Sequence, residues 1–166
     1  MAVSLERISL DGLDTLKNLF ELVAYDLSEW SGANINDNGL YLTSLDVRSL
    51  VDDSDYDLFF VRVDAVLAGF VVVKYLREED LYYLNHFFIL RKFRRQGVGK
   101  EAAIMVFDLH IGKWRVSEFE WNTPAQHFWI KVIRDYTMDQ FVETRRKDNK
   151  GPAQEFMNVH LQVNHS

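Results

Sequence analysis

The residues best suited to chemistry lie between positions 86 and 99, where a histidine precedes a loop rich in arginine and glycine. Arg94, Gly97 and Gly99 have the spacing Arg-x-x-Gly-x-Gly, and an amphipathic pattern begins at the loop's end. The first N–H groups of a helix have no intrahelical partner and carry a partial positive charge. Glycine lets a ligand approach the backbone, and arginine adds formal charge. The loop therefore predicts a phosphate-binding site.

A P-loop is excluded by the spacing. That motif needs a glycine five positions before a Gly-Lys pair, and then Ser or Thr. Here Gly99-Lys100 is followed by Glu101, and position 94 is Arg.

A dinucleotide-binding loop agrees with the residue pattern but not with the position of the glycines relative to the preceding strand. Gly97, Gly99 and Ala102 match Gly-x-Gly-x-x-Ala, and Glu118 and Glu120 lie about 20 residues further on, where an acid that binds ribose is expected. In that motif the glycines follow the strand directly. Here six residues, four of them basic, separate the apolar segment from the first glycine.

The third pattern resembles the acyl-CoA pyrophosphate loop of the GNAT superfamily of N-acetyltransferases. In that family an apolar strand, a short basic connector and an Arg-x-x-Gly-x-Gly loop follow one another as they do here. A second similarity is the segment NTPAQHFWIK at 122–131, where Asn122 is followed three residues later by Ala125 and then by an aromatic turn. The similarity in element order extends over nearly the whole chain.

The resemblance implies that acetyl-CoA is a cosubstrate and that its acetyl group passes to a primary amine by direct attack in a ternary complex. It implies that Asn122 hydrogen-bonds the pantetheine arm and that Phe128 or Trp129 lines the thiol end. The backbone of residues 88–90 would pair with pantetheine and polarise the thioester carbonyl. The cofactor-binding residues implied are Phe88, Ile89, Leu90, Arg94, Arg95, Gln96, Gly97, Val98, Gly99, Lys100, Asn122, Phe128 and Trp129.

Asn85 and His86 are the candidate catalytic residues, because they stand in the apolar strand about where the family often has a carboxylate. A lysine-like amine with a pKa of about 10.4 must lose a proton before it attacks. An imidazole with an unperturbed pKa of about 6.5 suits that task, so His86 is a candidate base. The alternative is a structural histidine. Strand alternation places His86 beside Leu84 and Phe88, although family strands usually carry a bulge here.

Trp129 departs from the family, in which many members have a tyrosine that protonates the leaving thiolate. A thiol with a pKa of about 8.5 leaves tolerably without an acid, so this loss does not exclude catalysis. Tyr82, Tyr83 and Tyr136 are replacement candidates that the sequence does not rank.

Two rival functions stay open. A non-catalytic acyl-CoA-binding module is favoured by the missing tyrosine and carboxylate, and an NAD(P)-dependent oxidoreductase by the dinucleotide pattern. The acceptor is expected to be a small-molecule or peptide amine, and Asp26, Glu29 and Asp37 are candidates for attracting a cationic one. The basic segment at 145–150 is predicted to be a solvated turn.

Periodicity and turn signals predict the elements that position these residues. The expected fold is mixed α/β (α+β), with a mostly antiparallel six- to seven-stranded sheet and helices on both faces, as in the GNAT-type acyl-CoA N-acyltransferase fold. Thr123 is predicted to cap the last helix, with Gln126 completing a capping box. Strands are predicted at 3–9, 56–63, 66–75, 81–90, 114–121, 138–144 and 156–163, and helices at 11–30, at 43–51, from 97 and from 123.

Composition limits the function classes. The chain has 166 residues, 48% of them hydrophobic, which predicts one globular domain over 1–166. A net charge of −6 argues against nucleic-acid binding. The absence of cysteine excludes disulfides, thiolate zinc sites and an acyl-cysteine intermediate, and we expect no metal. No signal-peptide pattern or long apolar run occurs, so a cytoplasmic protein without membrane contact is expected, and homodimer formation stays open.

Overall fold

A seven-stranded mixed sheet organises the fold. The computed structural model describes residues 1–42 and 45–159. The strand order is β1-β2-β3-β4-β5-β7-β6, and every neighbouring pair is antiparallel except β4 and β5. Along the chain the elements are β1 (Val3–Arg7), α1 (Leu13–Ser31), α2 (Val47–Asp52), β2 (Tyr56–Val63), β3 (Val66–Leu76), β4 (Leu81–Ile89), α3 (Val98–Leu109), β5 (Lys113–Ser117), α4 (Thr123–Thr137), β6 (Val142–Arg145) and β7 (Pro152–Met157).

The helices cover the sheet on two sides, as predicted. In α1, Leu16, Leu19 and Phe20 are buried at helical spacing and pack with α2 against one face. Helices α3 and α4 pack against the other face, where Val106 and Ile133 are fully buried. No helix in the described part of the chain combines the length and hydrophobicity that a membrane span requires. The predicted fold class is confirmed.

Strands β4 and β5 are neighbours only at one end. They pair in parallel at Tyr82↔Trp114 and Tyr83↔Arg115. Beyond these pairs β4 continues to Ile89 along β3, whereas β5 ends and the chain turns toward α4. One edge of β4 is therefore open in the middle of the sheet, and we call this opening the sheet gap.

A bulge in β4 decides which way its side chains face. Leu84 pairs with Val73 and His86 with Val72, which leaves Asn85 as the extra residue. Leu84 packs in the core under α3 and α4, whereas His86 faces α1. The simple alternation that placed Leu84 and His86 on one face is therefore wrong, and the bulge expected from the family resemblance is present.

Helix α4 begins one residue earlier than predicted, because Asn122 and not Thr123 is its N-cap. The Asn122 Oδ1 accepts a hydrogen bond from the Ala125 N–H at 3.3 Å. Gln126 does not complete a capping box: its side-chain amide donates to the Phe119 carbonyl at 2.8 Å. The helix start is thus tied to the segment that follows β5.

The predicted bounds of the last three strands were wrong. Strand β5 ends at 117 and not at 121. Met138 and Asp139 have φ of 52° and 65°, so the chain leaves α4 through left-handed backbone and β6 starts later than predicted. Strand β7 starts at Pro152, and proline is tolerated at the first position of a strand although it has no N–H to donate. The predicted strand end at 160–163, and the first two residues of the helix predicted at 43–51, lie outside the described residues.

Candidate active site

A cavity of about 180 Å³, the central cleft, lies between α1, β4, the end of β5 and the start of α4. It brings together five of the predicted site residues: Asn85, His86, Phe88, Asn122 and Trp129. The other predicted residues do not line it. They belong to the end of β4, the following loop and the facing sides of α3 and α4: Ile89, Leu90, Arg94, Arg95, Gln96, Gly97, Val98, Gly99, Lys100 and Phe128.

His86 opens into the central cleft from β4, with its ring edge-on to Phe20 at a centroid distance of 4.9 Å. Solvent in the cleft reaches the imidazole, but the surrounding protein desolvates it and lowers its pKa to about 4. The ring is therefore neutral at pH 7 and accepts a hydrogen bond readily, but it holds a proton poorly. Its assignment as the base stays a prediction.

The backbone of β4 offers hydrogen-bonding groups to the sheet gap. The Leu90 N–H donates to β3 at 2.8 Å, so by alternation Phe88 also faces β3, while the N–H groups of Phe87 and Ile89 face the gap. The Ile89 carbonyl accepts from the Arg94 Nε at 2.8 Å. Of the predicted segment 88–90, the backbone of Phe88 and Leu90 is therefore engaged, and Ile89 with the unpredicted Phe87 provides the free donors.

The loop before α3 has the geometry of an anion site. The first intrahelical hydrogen bond runs from the Glu101 N–H to the Gly97 carbonyl at 3.0 Å, so the N–H groups of residues 98–100 precede the ladder. Gly97 has φ of 81° and Arg95 has φ of 60°. Such left-handed turns direct successive N–H groups into one concavity. The Gln96 side chain closes the loop on itself.

The arginines of this loop are partly neutralised. Arg94 and Arg91 both bind the Asp26 carboxylate of α1 at 2.8 Å. Partial burial alone would raise the pKa of Asp26, but the hydrogen bonds and charges of Arg94 and Arg91 lower it below its usual value. Asp26 therefore anchors the loop to α1 and is not free to attract an amine. Lys100 pairs with Asp135 at 3.1 Å, while Arg95 is exposed.

The aromatic residues of α4 are part of the core. Trp129 is only 6% exposed and meets Phe87 edge-on at 4.8 Å, with one side bordering the central cleft. Phe128 packs against α3, where a Cβ on Gly99 would lie 3.0 Å from its ring. Trp129 is thus placed to border a ligand in the cleft, whereas Phe128 packs against the first turn of α3.

Of the three tyrosines considered as acids, Tyr83 lines the central cleft, and its hydroxyl lies 2.7 Å from the Ser117 Oγ. Tyr82 packs against Trp114 on the opposite face. Tyr136 is buried away from the cleft, and burial together with its hydrogen bond to Asp108 raises its pKa.

Two residues of the central cleft were not predicted from the sequence to line it. Glu118 was considered only as an acid that binds ribose, yet it is buried beside the cleft, and burial raises its pKa to about 7 against the hydrogen bond from Gln154. Arg146 belongs to the predicted solvated turn, yet its side chain is 18% exposed and stacks 4.1 Å from the Phe119 ring. An acid directly after a strand end was the available signal for Glu118. Nothing local marked Arg146.

A second cavity of about 600 Å³, the outer cavity, adjoins the central cleft and shares Tyr83, Asn85, Ser117 and Arg146 with it. Its walls carry five cationic side chains and four carboxylates. Glu79 forms ion pairs with Arg115 and Lys147 at 2.9 Å, and these hold the pKa of Glu79 at about 2. The walls of the outer cavity are therefore charged but almost balanced.

Comparison with known proteins gives a consistent result. The acetyltransferase (GNAT) family model matches residues 23–132. A search of the curated proteins gives no match. The fold is similar to an acetyltransferase from Thermus thermophilus, at 14% identity over 95% of this chain and 97% of that one, with a TM-score of 0.69.

Two further structures show the same fold. The aminoglycoside acetyltransferase AAC(6')-Ib in complex with coenzyme A is 14% identical, covers 99% of this chain and 100% of its own, and has a TM-score of 0.67. The spermidine N-acetyltransferase SpeG of Vibrio cholerae is 12% identical over 99% and 98%, with a TM-score of 0.65.

Proposed function

The chain belongs to the GNAT acetyltransferase family, and we propose that it transfers an acetyl group from acetyl-CoA to a primary amine. The observation that carries this proposal is the sheet gap. It exposes backbone donors of β4 between the loop before α3 and the central cleft. An extended donor molecule with an anionic end and a reactive end fits these three features in that order.

The anionic end of acetyl-CoA would lie at the loop. Its pyrophosphate accepts hydrogen bonds from the N–H groups of residues 98–100, and exposed Arg95 adds charge. The pantetheine arm runs along β4 as an extra strand, with the N–H groups of Phe87 and Ile89 as donors and Asn122 at its side. Trp129 borders the thioester in the central cleft.

The proposed reaction is direct attack in a ternary complex. The amine nitrogen forms a bond with the thioester carbon, the carbon–sulfur bond breaks, and the thiolate takes a proton as it leaves. Backbone N–H groups of β4 polarise the carbonyl, and the bound geometry lowers the entropic barrier. Neutral His86 accepts a hydrogen bond from the amine, Asn85 at the bulge orients it, and Tyr83 is the candidate acid.

The acceptor is proposed to be a small-molecule or peptide amine that enters through the outer cavity. This cavity is large enough for a small molecule and meets the central cleft at Tyr83 and Asn85. Spermidine and aminoglycosides appear in the names of the structural neighbours, and we propose for this chain only their shared chemistry, a primary amine.

One observation favours a second function, a module that binds acyl-CoA without transferring it. Trp129 occupies the position of the family's tyrosine and is packed into the core. An intact donor site with no turnover against any amine would support this alternative. Family membership removes the case for a nicotinamide-dependent oxidoreductase.

The test is thermal unfolding with acetyl-CoA, CoA and NADP at equal concentrations, followed by thiol release with a panel of amines. A ligand at 100 times its Kd stabilises by about 2.7 kcal/mol, which raises the Tm of a domain of this size by roughly 5–10 °C. We expect this shift with acetyl-CoA and CoA but not with NADP. No shift at millimolar acetyl-CoA would overturn the proposal.

A further inference from the structure

Glu118 is held rigidly beside the central cleft. It is the first residue after β5, and its N–H donates to the Pro152 carbonyl at 3.1 Å. Strand β7 approaches it so closely that a Cβ on Gly151 would lie 2.0 Å from the Glu118 carbonyl oxygen. The side chain is 4% exposed. The backbone therefore has little freedom to move the carboxyl group away from the cleft.

The carboxyl group is only half satisfied. Its Oε1 accepts a hydrogen bond from the Gln154 Nε2 at 2.9 Å. Its Oε2 is buried without a hydrogen-bond partner among the described residues. A buried polar oxygen without a donor is costly, and natural proteins keep few of them. A polar oxygen in this state beside a substrate cavity points to a partner that arrives with the substrate.

The described lining of the central cleft beside Glu118 contains one cationic side chain and no second carboxylate. Among the described residues that line the central cleft, Glu118 is the only acid. Helix α1 contributes the apolar Val23 and Leu27. The titratable groups on the other elements are Tyr83 and His86 from β4 and Arg146 from the turn between β6 and β7.

We propose that Glu118 is the general base of the reaction, an inference that rests on the proposed acetyl transfer. The acceptor arrives as an ammonium ion and gives one proton to the Glu118 Oε2. The freed nitrogen lone pair forms the nitrogen–carbon bond as the carbon–sulfur bond breaks. The second nitrogen proton reaches the departing thiolate through the Tyr83 hydroxyl, the candidate acid, and Glu118 then releases its proton to solvent.

The electrostatics of the site suit this role. Burial raises the pKa of Glu118 to about 7, while the Gln154 hydrogen bond and the Arg146 charge limit the rise. A base whose pKa lies near the working pH combines a useful ionised fraction with a strong tendency to take a proton. The pKa of His86 is about 4, so at neutral pH its ring is uncharged and can accept a hydrogen bond, but it has a lower proton affinity than Glu118.

The competing explanation is structural. A protonated Glu118 and Gln154 can exchange two hydrogen bonds, because the Gln154 Oε1 also lacks a partner among the described residues. This pair would hold β5 against β7 without any role in proton transfer. The experiment must therefore measure the pH dependence of the reaction and not only the stability of the protein.

The test compares wild type with Glu118→Gln, which keeps the shape and removes the base. With acetyl-CoA and the best amine, kcat/KM is measured from pH 5.5 to 9.5. We expect kcat/KM to fall by about 10²- to 10⁴-fold in the variant. The limb of the wild-type profile, in which kcat/KM rises with pH near pH 7, should disappear, and the Kd of CoA should stay unchanged within about twofold. The matched control is Glu120→Gln, a surface acid two residues away that pairs with Arg145, and it should behave as wild type.

An acceptor that is already deprotonated gives a second readout. With an amine of pKa near 5, the defect of Glu118→Gln should shrink at least tenfold, whereas a structural defect would affect all acceptors alike. If Glu118→Gln does not fold, Glu118→Asp takes its place and should shift the limb. A variant with a normal pH profile overturns the inference for Glu118 alone. A wild type that acetylates no amine overturns the proposed function, and the inference falls with it.

Discussion

Two titratable side chains in the central cleft are shifted toward their neutral forms. Burial raises the pKa of Glu118 to about 7, and desolvation by the surrounding protein lowers that of the solvent-accessible His86 to about 4. The physical cause is the same for both, since a low-dielectric site disfavours whichever form is charged. The cleft therefore holds an uncharged hydrogen-bond acceptor and a half-ionised acid at neutral pH, and in the proposed reaction these would orient the amine and deprotonate it, respectively.

Glu118 should make the folded chain less stable as pH rises. Its folded pKa of about 7 exceeds the unfolded value of 4.5, so the folded state binds the extra proton between these values. The contribution of Glu118 to the free energy of unfolding is fully present below pH 4.5 and is lost as pH rises through 7. The loss amounts to at most about 3 kcal/mol. Urea unfolding of wild type and Glu118→Gln at pH 4.5 and 8 checks this. We expect the variant to gain stability relative to wild type as pH rises, and equal differences at both pH values would contradict it.

His86→Ala separates the two cleft residues. The lost hydrogen-bond acceptor should lower kcat/KM by about tenfold, whereas the limb near pH 7 should persist because it belongs to Glu118. The measurement is the pH profile of kcat/KM for the variant. Disappearance of that limb would identify His86 as the base. A kcat/KM equal to that of wild type at every pH would identify it as a structural histidine packed against Phe20.

At the scale of elements, the loop before α3 relies on backbone shape more than on side-chain charge. Asp26 of α1 already pairs with Arg91 and Arg94, so part of the loop's formal charge is cancelled before any ligand arrives. What remains are exposed Arg95 and the N–H groups of the first turn, which the left-handed backbone at Gly97 presents. An anionic ligand therefore depends on that backbone conformation.

Gly97→Ala tests this dependence. A side chain at φ of 81° costs about 1–2 kcal/mol, and a loop that relaxes to avoid the strain loses its aligned N–H groups. We expect the Kd of CoA to rise about tenfold by calorimetry. Gly32→Ala is the matched control, because Gly32 is the C-cap of α1, has φ of 75° and has open space around it. It should lose similar stability and bind CoA normally; equal binding losses would mean general destabilisation.

Local patterns predicted the fold well because its long elements have strong periodicity and the phosphate loop is contiguous in sequence. The helix pattern from 97 and the three central strands needed only neighbouring residues. The parts that the sequence did not reveal depend on distant contacts. Arg94 meets Asp26 across 68 positions, and Glu118 meets Gln154 across 36. The burial of Arg146 also follows from how the last hairpin folds onto β5.

At the scale of the whole molecule, the net charge of −6 is not reflected in the cavities. The outer cavity has five cations and four carboxylates, so a substrate there meets a nearly neutral field. Steering of a polycation toward the cleft would need a clear excess of acidic groups. We therefore expect contacts at the cleft to select the proposed acceptor more than long-range attraction does.

Polyamines should consequently gain little from their extra charges. We expect kcat/KM for spermidine to lie within about threefold of that for a monoamine of similar length, and to change little between 50 and 300 mM salt. Steady-state rates for both amines at the two salt concentrations give the comparison. A large advantage for spermidine that disappears at high salt would contradict the expectation.

The sheet gap also affects the protein when no substrate is bound. An unpaired strand edge exchanges its amide protons freely and is a template for pairing with other chains. A pantetheine arm lying along β4 would cover that edge, so the coenzyme would act as a removable strand of the sheet. Deuterium uptake at the amides of Phe87 and Ile89 should then fall on CoA binding, and self-association of the protein should depend on how much coenzyme the surrounding solution supplies.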